Sequence, residues 1–216
     1  MYPVDRLAGI IREIAFRCTA CAKCCTREFN GHVFLLDKDV RAVLDADPEA
    51  LEPAPDPEFC DQHGTFYVSG YALRTKTDDH GSCWFLEDGR CRIYEARPVI
   101  CRIYPSMLHR EADDRGKVDW RQFSGLGNHG EYGTPVSEEE SLNLARETMQ
   151  YENAFLTQEI RFLEFMQEYF HRHNLRHVQK IYDTRMRGYQ KGETIRIMVF
   201  TGDHLEEHMS RIPQTS

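Results

Sequence analysis

Four of the eight cysteines in this sequence lie within eight consecutive residues. This first motif has the spacing C-x-x-C-x-x-C-C and consists of Cys18, Cys21, Cys24 and Cys25. A C-x-x-C pair lets two sulfurs bind one metal ion while backbone amides of the turn point at them. The C-x2-C-x2-C run is also the spacing with which bacterial ferredoxins hold a cluster. Because neighbouring side chains diverge, the adjacent pair at 24–25 either serves two centres or includes one residue that only supports the ligands.

A second motif follows with wider spacing and consists of Cys83, Cys91 and Cys101. It contains a repeat, since the letters CRIY occur at residues 91–94 and again at 101–104. We interpret each copy as one thiolate ligand, one arginine that offsets negative charge and one aromatic ring that shields the site from water. Groups that surround the ligands in this way tune metal sites.

The Asp-Gly pair at 88–89 predicts a β-hairpin between "CWFLE" and "RCRIY". With a two-residue loop, the side chains of Cys83 and Cys91 would point to opposite faces. With a three-residue loop they share a face. If the two residues bind a common metal, the hairpin therefore has the three-residue loop, with Gly89 in the left-handed conformation.

Apolar periodicity predicts an α+β fold, in which a small metal-organised hairpin and sheet region packs with helices and a long helical part follows. The predicted helices are 3–17, 37–51 and 137–173, with more helix to 189. The predicted strands are "HVFLL", "TFYVSGYALRT", "CWFLEDGRCRIY" and a closing strand at 194–200. We expect a cysteine-rich region at 1–136 and a helical region at 137–216, packed as one compact unit.

Three local signals refine these elements. Ser137 and Glu140 form an S-x-x-E capping box at the start of the long helix. Pro98 suits the first position of a short helix that stops before Pro105 and places Cys101 near its start. Residues 52–64 contain three prolines and predict a surface loop.

The compartment decides how the cysteines are interpreted. The first residues carry charges at Asp5, Arg6, Arg12 and Glu13, so no secretory signal is expected. No apolar run approaches the roughly 20 residues that span a bilayer. We therefore expect a cytoplasmic protein without membrane contact, where clustered cysteines more often bind metal or act in catalysis. Disulfides are the alternative.

The net charge of −8 disfavours nucleic-acid binding by the whole chain. The basic segment 171–191 is a local exception. We interpret it as a solvated helix face, and the alternative is a surface for an anionic partner, either RNA or another protein.

Two further motif matches lack the context that their chemistry needs. "GLGNHG" at 125–130 fits a dinucleotide fingerprint but has no preceding buried strand and no helix opening on the last glycine. "HLEEH" at 204–208 fits a helical zinc-protease pattern but leaves little chain for a further ligand. Neither is expected to carry function.

Together, "CTACAKCC" (18–25) and "CWFLEDGRCRIYEARPVICRIYP" (83–105) resemble the CxxCxxCC cysteine-cluster family, also called YkgJ-like zinc- or iron-chelating domains. The resemblance covers roughly residues 15–130. It implies metal binding by the seven cysteines of the two motifs: Cys18, Cys21, Cys24, Cys25, Cys83, Cys91 and Cys101. The eighth, Cys60, stands alone in the proline-rich loop and is expected to be dispensable.

Many members of that family carry a further cysteine in a C-x-G context, where this chain has Ser124. Ser124 could ligate through oxygen, His129 or Cys60 could substitute, or one coordination position could stay open. An open position beside a three-thiolate set is what catalytic metal sites keep and structural sites fill. A backbone group or Cys25 is the alternative that closes the shell.

These residues favour a cytoplasmic metal–thiolate protein that binds an iron–sulfur cluster, with zinc as the second candidate. Seven motif cysteines exceed the four donors that one tetrahedral zinc ion uses. A related cysteine arrangement in flagellin lysine methylases makes a protein-modifying enzyme one alternative. The other is a zinc-stabilised module that binds a partner.

Overall fold

The computed structural model describes residues 3–106, 109–112, 118–121 and 127–212, the two short pieces by their backbone alone. The fold is α+β, as predicted. Its residues form two compact units, each from two chain segments. Unit 1 contains Met1–Gly31 and Phe85–Phe155, and unit 2 contains His32–Trp84 and Leu156–Ser216. The division at residue 136 along the sequence stays a prediction.

Six α-helices run through the described residues: α1 (Val4–Ile14), α2 (Arg27–Asn30), α3 (Asp37–Ala46), α4 (Val99–Ile103), α5 (Glu138–Arg172) and α6 (Gln179–Gln190). The strands in the same residues are β1 (Leu51–Pro53), β2 (Phe59–Cys60), β3 (Thr65–Ser69), β4 (Tyr71–Leu73), β5 (Leu86–Glu87), β6 (Arg90–Cys91), β7 (His109–Ala112), β8 (Val118–Arg121), β9 (Ile195–Thr201) and β10 (His204–Ser210). Short 3₁₀ helices occupy Lys23–Cys25 and Tyr94–Ala96. Where helices are described, none combines the length and apolar character that crossing a membrane requires.

In unit 1, α1 packs on the first half of α5. The buried residues in this contact are Leu7, Ala8, Ile11, Ala145 and Met149. The helix stops at Ile14, earlier than predicted, because Ala15 adopts the left-handed conformation with φ 49°.

The chain then reaches the first motif through a β-bridge. Arg17 pairs antiparallel with Glu131, and the two backbone N···O distances are 2.8 and 3.0 Å. This bridge fixes the residue before Cys18 against the segment that follows the second motif. The start of the cysteine loop is therefore held by chain far away in sequence.

In unit 2, a four-stranded sheet in the order β10-β9-β3-β2 packs on the second half of α5. The inner strands β3 and β9 are parallel, and β9 and β10 form an antiparallel hairpin. Tyr67, Phe162, Met166 and Phe200 are buried in this contact. The closing strand predicted at 194–200 is confirmed as β9, whereas β10 is a strand that the periodicity missed.

Other strand predictions are corrected. "HVFLL" forms only an isolated bridge, between Phe34 and Ala72. The segment predicted as surface loop, 52–64, contains β2 and most of β1. β1 and β2 are only three and two residues long, so alternation of apolar residues does not reveal them.

The structure agrees with discarding both isolated motif matches. "HLEEH" lies in strand β10, so its residues lack the helical spacing of a zinc protease. No helix opens at Gly130, because α5 begins at Glu138.

Loss of the Ser137 cap is expected to destabilise the protein. Ser137 Oγ accepts the N–H of Glu140 at 3.1 Å, which confirms this half of the predicted capping box. Ser137→Ala should lower the free energy of unfolding by about 1 kcal/mol, measured by urea denaturation, because one helix-terminal N–H loses its acceptor. Ser137→Asp keeps an acceptor and serves as the control. Equal loss in both variants would contradict the role of the cap.

Candidate metal centre

The first motif lies in a tight loop that uses left-handed backbone at alanines. Ala20 and Ala22 have φ of 54° and 61°, a region that residues other than glycine seldom occupy because it costs free energy. These turns let the N–H of Ala20 approach the Cys18 sulfur at 3.4 Å. Backbone strain of this kind clusters at functional sites, so the loop has the character of a ligand loop.

Cys21 is held between two segments of unit 1. Hydrogen bonding from the backbone N–H of Lys23 lowers the pKa of this thiol, assisted by the N–H of Gly130 and by Thr19, while burial opposes the shift. The Lys23 ammonium donates to the carbonyl of Asn128 at 2.8 Å. Donors directed at the sulfur favour the thiolate, the form that binds metal.

Cys25 is crowded by the other thiols of its motif. The pKa of Cys25 is held far above its usual range, first by its hydrogen bond with Cys24, then by burial, and then by the charges of Cys24 and Cys21. The charge of Arg97 acts in the opposite direction. Sulfurs gathered in this way cannot all ionise unless a cation joins them, because each thiolate disfavours the next.

Cys91 of the second motif lies close enough to interact with this group. Burial raises the pKa of Cys91, and the charge of Cys25 raises it further. The N–H of Ile93 and the charges of Arg97 and Arg92 oppose the shift. Through Cys25, unit 1 therefore brings thiols of both motifs together.

The hairpin that carries Cys91 differs from its prediction. Leu86 pairs with Cys91 and Glu87 with Arg90, so the loop has two residues instead of three. Gly89 is left-handed, as predicted, and Asp88 is too, with φ of 72° and 47°. Asp-Gly favours the two-residue turn that needs positive φ at both positions. The loop length therefore follows the turn preference of Asp-Gly, and the three-residue loop that we inferred from shared ligation is wrong.

The two CRIY copies only partly do what we expected of them. In the first, Arg92 lies 3.2 Å from the carboxylate of Glu87 and also over the ring of Phe85. Burial and then the nearby Cys18 thiol raise the pKa of Tyr94, but the Tyr94 side chain is 38% exposed, so it shields the site incompletely.

The second copy begins in α4, where Cys101 is half-buried. This helix starts at Val99 with Pro98 as the preceding cap residue, one position later than predicted, and it ends before Pro105. Arg102 donates from Nε to the carboxylate of Glu147 at 2.9 Å. Its charge is therefore engaged by a carboxylate.

Arg97 is the cation that sequence reasoning missed. Its charge acts on both Cys25 and Cys91, although it lies between the two repeats and outside them. The only signal in the sequence was its place within "YEARP", six residues after Cys91 and four residues before Cys101.

The remaining two cysteines belong to unit 2. Cys83 is half-buried and forms an isolated bridge with Thr75, whereas the other six motif cysteines belong to unit 1. Cys60 lies in β2 instead of a loop and is fully buried, and burial raises its pKa to about 11. Its N–H donates to Nδ1 of His177 at 3.0 Å. Cys60 is therefore a buried thiol in the core of unit 2.

The donor chemistry of unit 1 fits zinc or iron, because thiolates are soft ligands that suit both. Among the residues that the structure describes, no three Cys, His, Asp or Glu side chains are arranged to hold one metal ion as they stand. None of the eight cysteines forms a disulfide in this structure. The complete ligand set stays a prediction.

Of two candidates for an eighth ligand, Ser124 and His129, the structure describes only His129. Ser124 lies outside the described residues, so an open coordination position stays a prediction. His129 is buried among aromatic rings, with centroids 4.8 Å from Phe29, 5.1 Å from Tyr104 and 5.4 Å from Phe16. These contacts anchor the segment that reaches Cys21.

Comparison with known proteins gives one match. A family model named CxxCxxCC and described as "putative zinc- or iron-chelating domain" matches residues 17–124, which is half of the chain. Searches of curated proteins and of solved structures return no match.

Gly130 should be required for the cysteine loop, whereas Gly133 should not. Both have positive φ, at 68° and 77°, but a Cβ at Gly130 would overlap the ring of Phe16 and lie 2.9 Å from the carbonyl oxygen of Arg17. Gly133 faces open space. Gly133→Ala should cost about 1 kcal/mol of unfolding free energy from backbone strain alone.

Gly130→Ala should cost clearly more and also lower metal retention, since the N–H of Gly130 faces Cys21. Urea denaturation and elemental analysis of the two variants measure both effects. Equal behaviour of the pair would show that the close approach at Gly130 is unimportant.

Proposed function

Because this chain belongs to the CxxCxxCC family of zinc- or iron-chelating domains, we propose that it is a cytoplasmic protein whose clustered cysteines hold an iron–sulfur cluster. The observation that carries the proposal is that Cys24, Cys21 and Cys91 of unit 1 each interact electrostatically with Cys25. Such crowding is costly for free thiols and favourable once a cation binds their thiolates.

Thiol number and spacing favour iron–sulfur chemistry over a single zinc ion. One tetrahedral zinc site uses four ligands, whereas the two motifs supply seven cysteines. The spacing of Cys18, Cys21 and Cys24 is also that of cluster-binding runs. Two zinc ions, or a cluster with one zinc, are the competing arrangements.

The chain's own residues have distinct tasks in this proposal. Cys18, Cys21 and Cys24 are ligands from the loop, and Cys91 is a ligand from the hairpin. The N–H groups of Lys23 and Gly130 stabilise the Cys21 thiolate, as hydrogen bonds to sulfur do in iron–sulfur sites. A cluster at this place would supply one-electron redox chemistry.

A partner surface on the basic segment 171–191 is a second proposal. Arg176, Lys180 and Arg187 are exposed there, two of them on α6. Exposed positive charge in an acidic protein attracts an anionic partner and suits a protein with an acidic surface.

Anaerobic purification with analysis of iron, zinc and acid-labile sulfide tests the metal proposal. The protein should be brown and contain iron and sulfide. Cys21→Ser should lose much of the metal because its sulfur is a ligand, and Cys83→Ser should also lose metal if the predicted set is complete.

Cys60→Ser is the matched control and should keep the wild-type metal content, because Cys60 is a buried core thiol of unit 2. A colourless protein that contains zinc would show that the cysteines bind zinc and not an iron–sulfur cluster. A protein without either metal would overturn the function.

A further inference from the structure

One buried tyrosine joins two β-sheets of unit 2. Tyr71 belongs to β4, and its hydroxyl lies between two side chains of β10, the strand at the end of the four-stranded sheet. The hydroxyl donates to the carboxylate of Glu206 and lies 2.7 Å from Nε2 of His208. The rings of Tyr71 and His208 also meet edge to face, with centroids 5.4 Å apart. Tyr71 therefore ties β10 to β4 by side-chain contacts.

A second histidine extends this contact into a chain of four side chains. His204 lies on the same face of β10 as Glu206, because alternate residues of a strand share a face. Its Nε2 is 3.0 Å from Oε1 of Glu206, and its Nδ1 is 3.4 Å from the carbonyl oxygen of Gly202. Each contact needs a hydrogen on the nitrogen, so His204 makes both only as the charged imidazolium. Three residues of the "HLEEH" match thus meet Tyr71 because they lie on a strand.

The single hydrogen of the tyrosine hydroxyl decides the state of His208. When that hydrogen is donated to Glu206, the phenol oxygen can only accept, so Nε2 of His208 must donate. Nδ1 is then the nitrogen that gains or loses a proton. Tyr71 itself stays a neutral donor, because burial and then Glu206 hold its pKa far above its usual range.

The neighbouring strand gives His208 apolar surroundings. Ile197 and Val199 of β9 pair with His208 and Glu206, and both are buried. Burial lowers the pKa of His208, while the charge of Glu206 opposes the shift. A lowered pKa means that the stabilisation from His208 is complete above the ordinary histidine pKa and is lost as the pH falls below it. The physical reason is that a released strand binds a proton that the closed strand excludes.

His204 responds to pH in the opposite direction. The carbonyl of Gly202 and then Glu206 raise its pKa, Asp37 at the start of α3 adds to the shift, and burial opposes it. Asp37 is itself faced by Arg161 of α5 at 3.7 Å. The stabilisation from His204 is therefore present in acid and is lost as the pH rises above the ordinary histidine pKa. Below that value, only the loss at His208 remains.

We propose that the chain formed by His204, Glu206, Tyr71 and His208 is a pH-sensitive latch that holds β10 on β4 near neutral pH and releases it in acid. The latch lies wholly in unit 2. β10 has β9 as its strand neighbour and stands at the end of the sheet, so side-chain contacts help to decide how firmly it is held. Release of β10 would leave an edge of β9 unpaired, and an unpaired edge can pair with a strand of another chain.

Amide hydrogen exchange of β10 tests the latch between about pH 6.5 and about pH 5.5, where histidine changes its charge. After correction for the intrinsic exchange rate, the buried strand β3 of the same unit serves as the internal reference. In the wild type, opening of β10 should become up to about 10-fold more frequent at the lower pH, the factor that one pH unit allows for one proton. His208→Gln keeps an N–H donor for Tyr71 without a titrating group, so this pH dependence should disappear.

Tyr71→Phe keeps the ring and removes the hydroxyl. Opening of β10 should become at least about 5-fold more frequent at the higher pH, because the hydrogen bonds to Glu206 and His208 are lost. Tyr189→Phe is the matched control: its hydroxyl lies 2.8 Å from Oγ of Ser210 and ties the same strand to α6 without a group that titrates near neutral pH. This control should keep the pH dependence of the wild type.

Three results would each overturn the latch: wild-type opening that does not change with pH, wild-type pH dependence in His208→Gln, or wild-type opening in Tyr71→Phe at the higher pH. If Tyr71→Phe does not fold, His208→Gln still decides the question, since it leaves the buried tyrosine in place. All variants are compared at the same pH, so any effect of acid on the cysteines of unit 1 is common to them.

Discussion

Sulfurs that crowd together cannot all ionise without a positive charge between them. In unit 1, a hydrogen bond with Cys24, burial and the charges of Cys24 and Cys21 raise the pKa of Cys25, and the charge of Cys25 in turn helps to raise the pKa of Cys91. An unpaired thiolate in such surroundings is costly, whereas a bound metal cation reverses the balance and keeps its thiol ligands deprotonated. The remaining features of unit 1 make sense as the means of keeping these sulfurs near one another.

The backbone accepts unfavourable conformations to do so. Alanines at 15, 20 and 22 are left-handed, and the hairpin at 88–89 needs positive φ at both positions. Local conformational costs of this size persist only where the surrounding structure imposes them. Here the antiparallel bridge between Arg17 and Glu131 and the aromatic rings around His129 hold the loop.

The scaffold is less specialised than the loop. The long helix α5 contributes residues to both units, packing on α1 in unit 1 and on the β-sheet in unit 2. Its buried face is an ordinary apolar stripe, and its start is capped by Ser137. Charge and hydrogen bonding near the thiols, in contrast, come from a few residues such as Arg97 and Tyr94.

The sequence alone determined the family, the α+β class, the two cysteine motifs and the main helices, because these depend on local spacing and on apolar periodicity over neighbouring residues. It also determined the left-handed Gly89 and the cap at Ser137, which are local backbone chemistry. It did not reveal β10 or the burial of Cys60 in β2.

Tertiary structure decided these points because β10 joins the sheet through β9, which pairs with the distant strand β3, and because Cys60 contacts His177 and Val178, far away in sequence. The hairpin is different. Its two-residue loop is what the Asp-Gly pair favours. The assumption that Cys83 and Cys91 bind a common metal led us to predict a three-residue loop instead. Tertiary structure also decided the partners of the arginines, since Glu87 and Glu147 engage Arg92 and Arg102 while Arg97 stacks on Tyr94. Spacing can gather the ligands, but which charge faces them depends on how the whole chain packs.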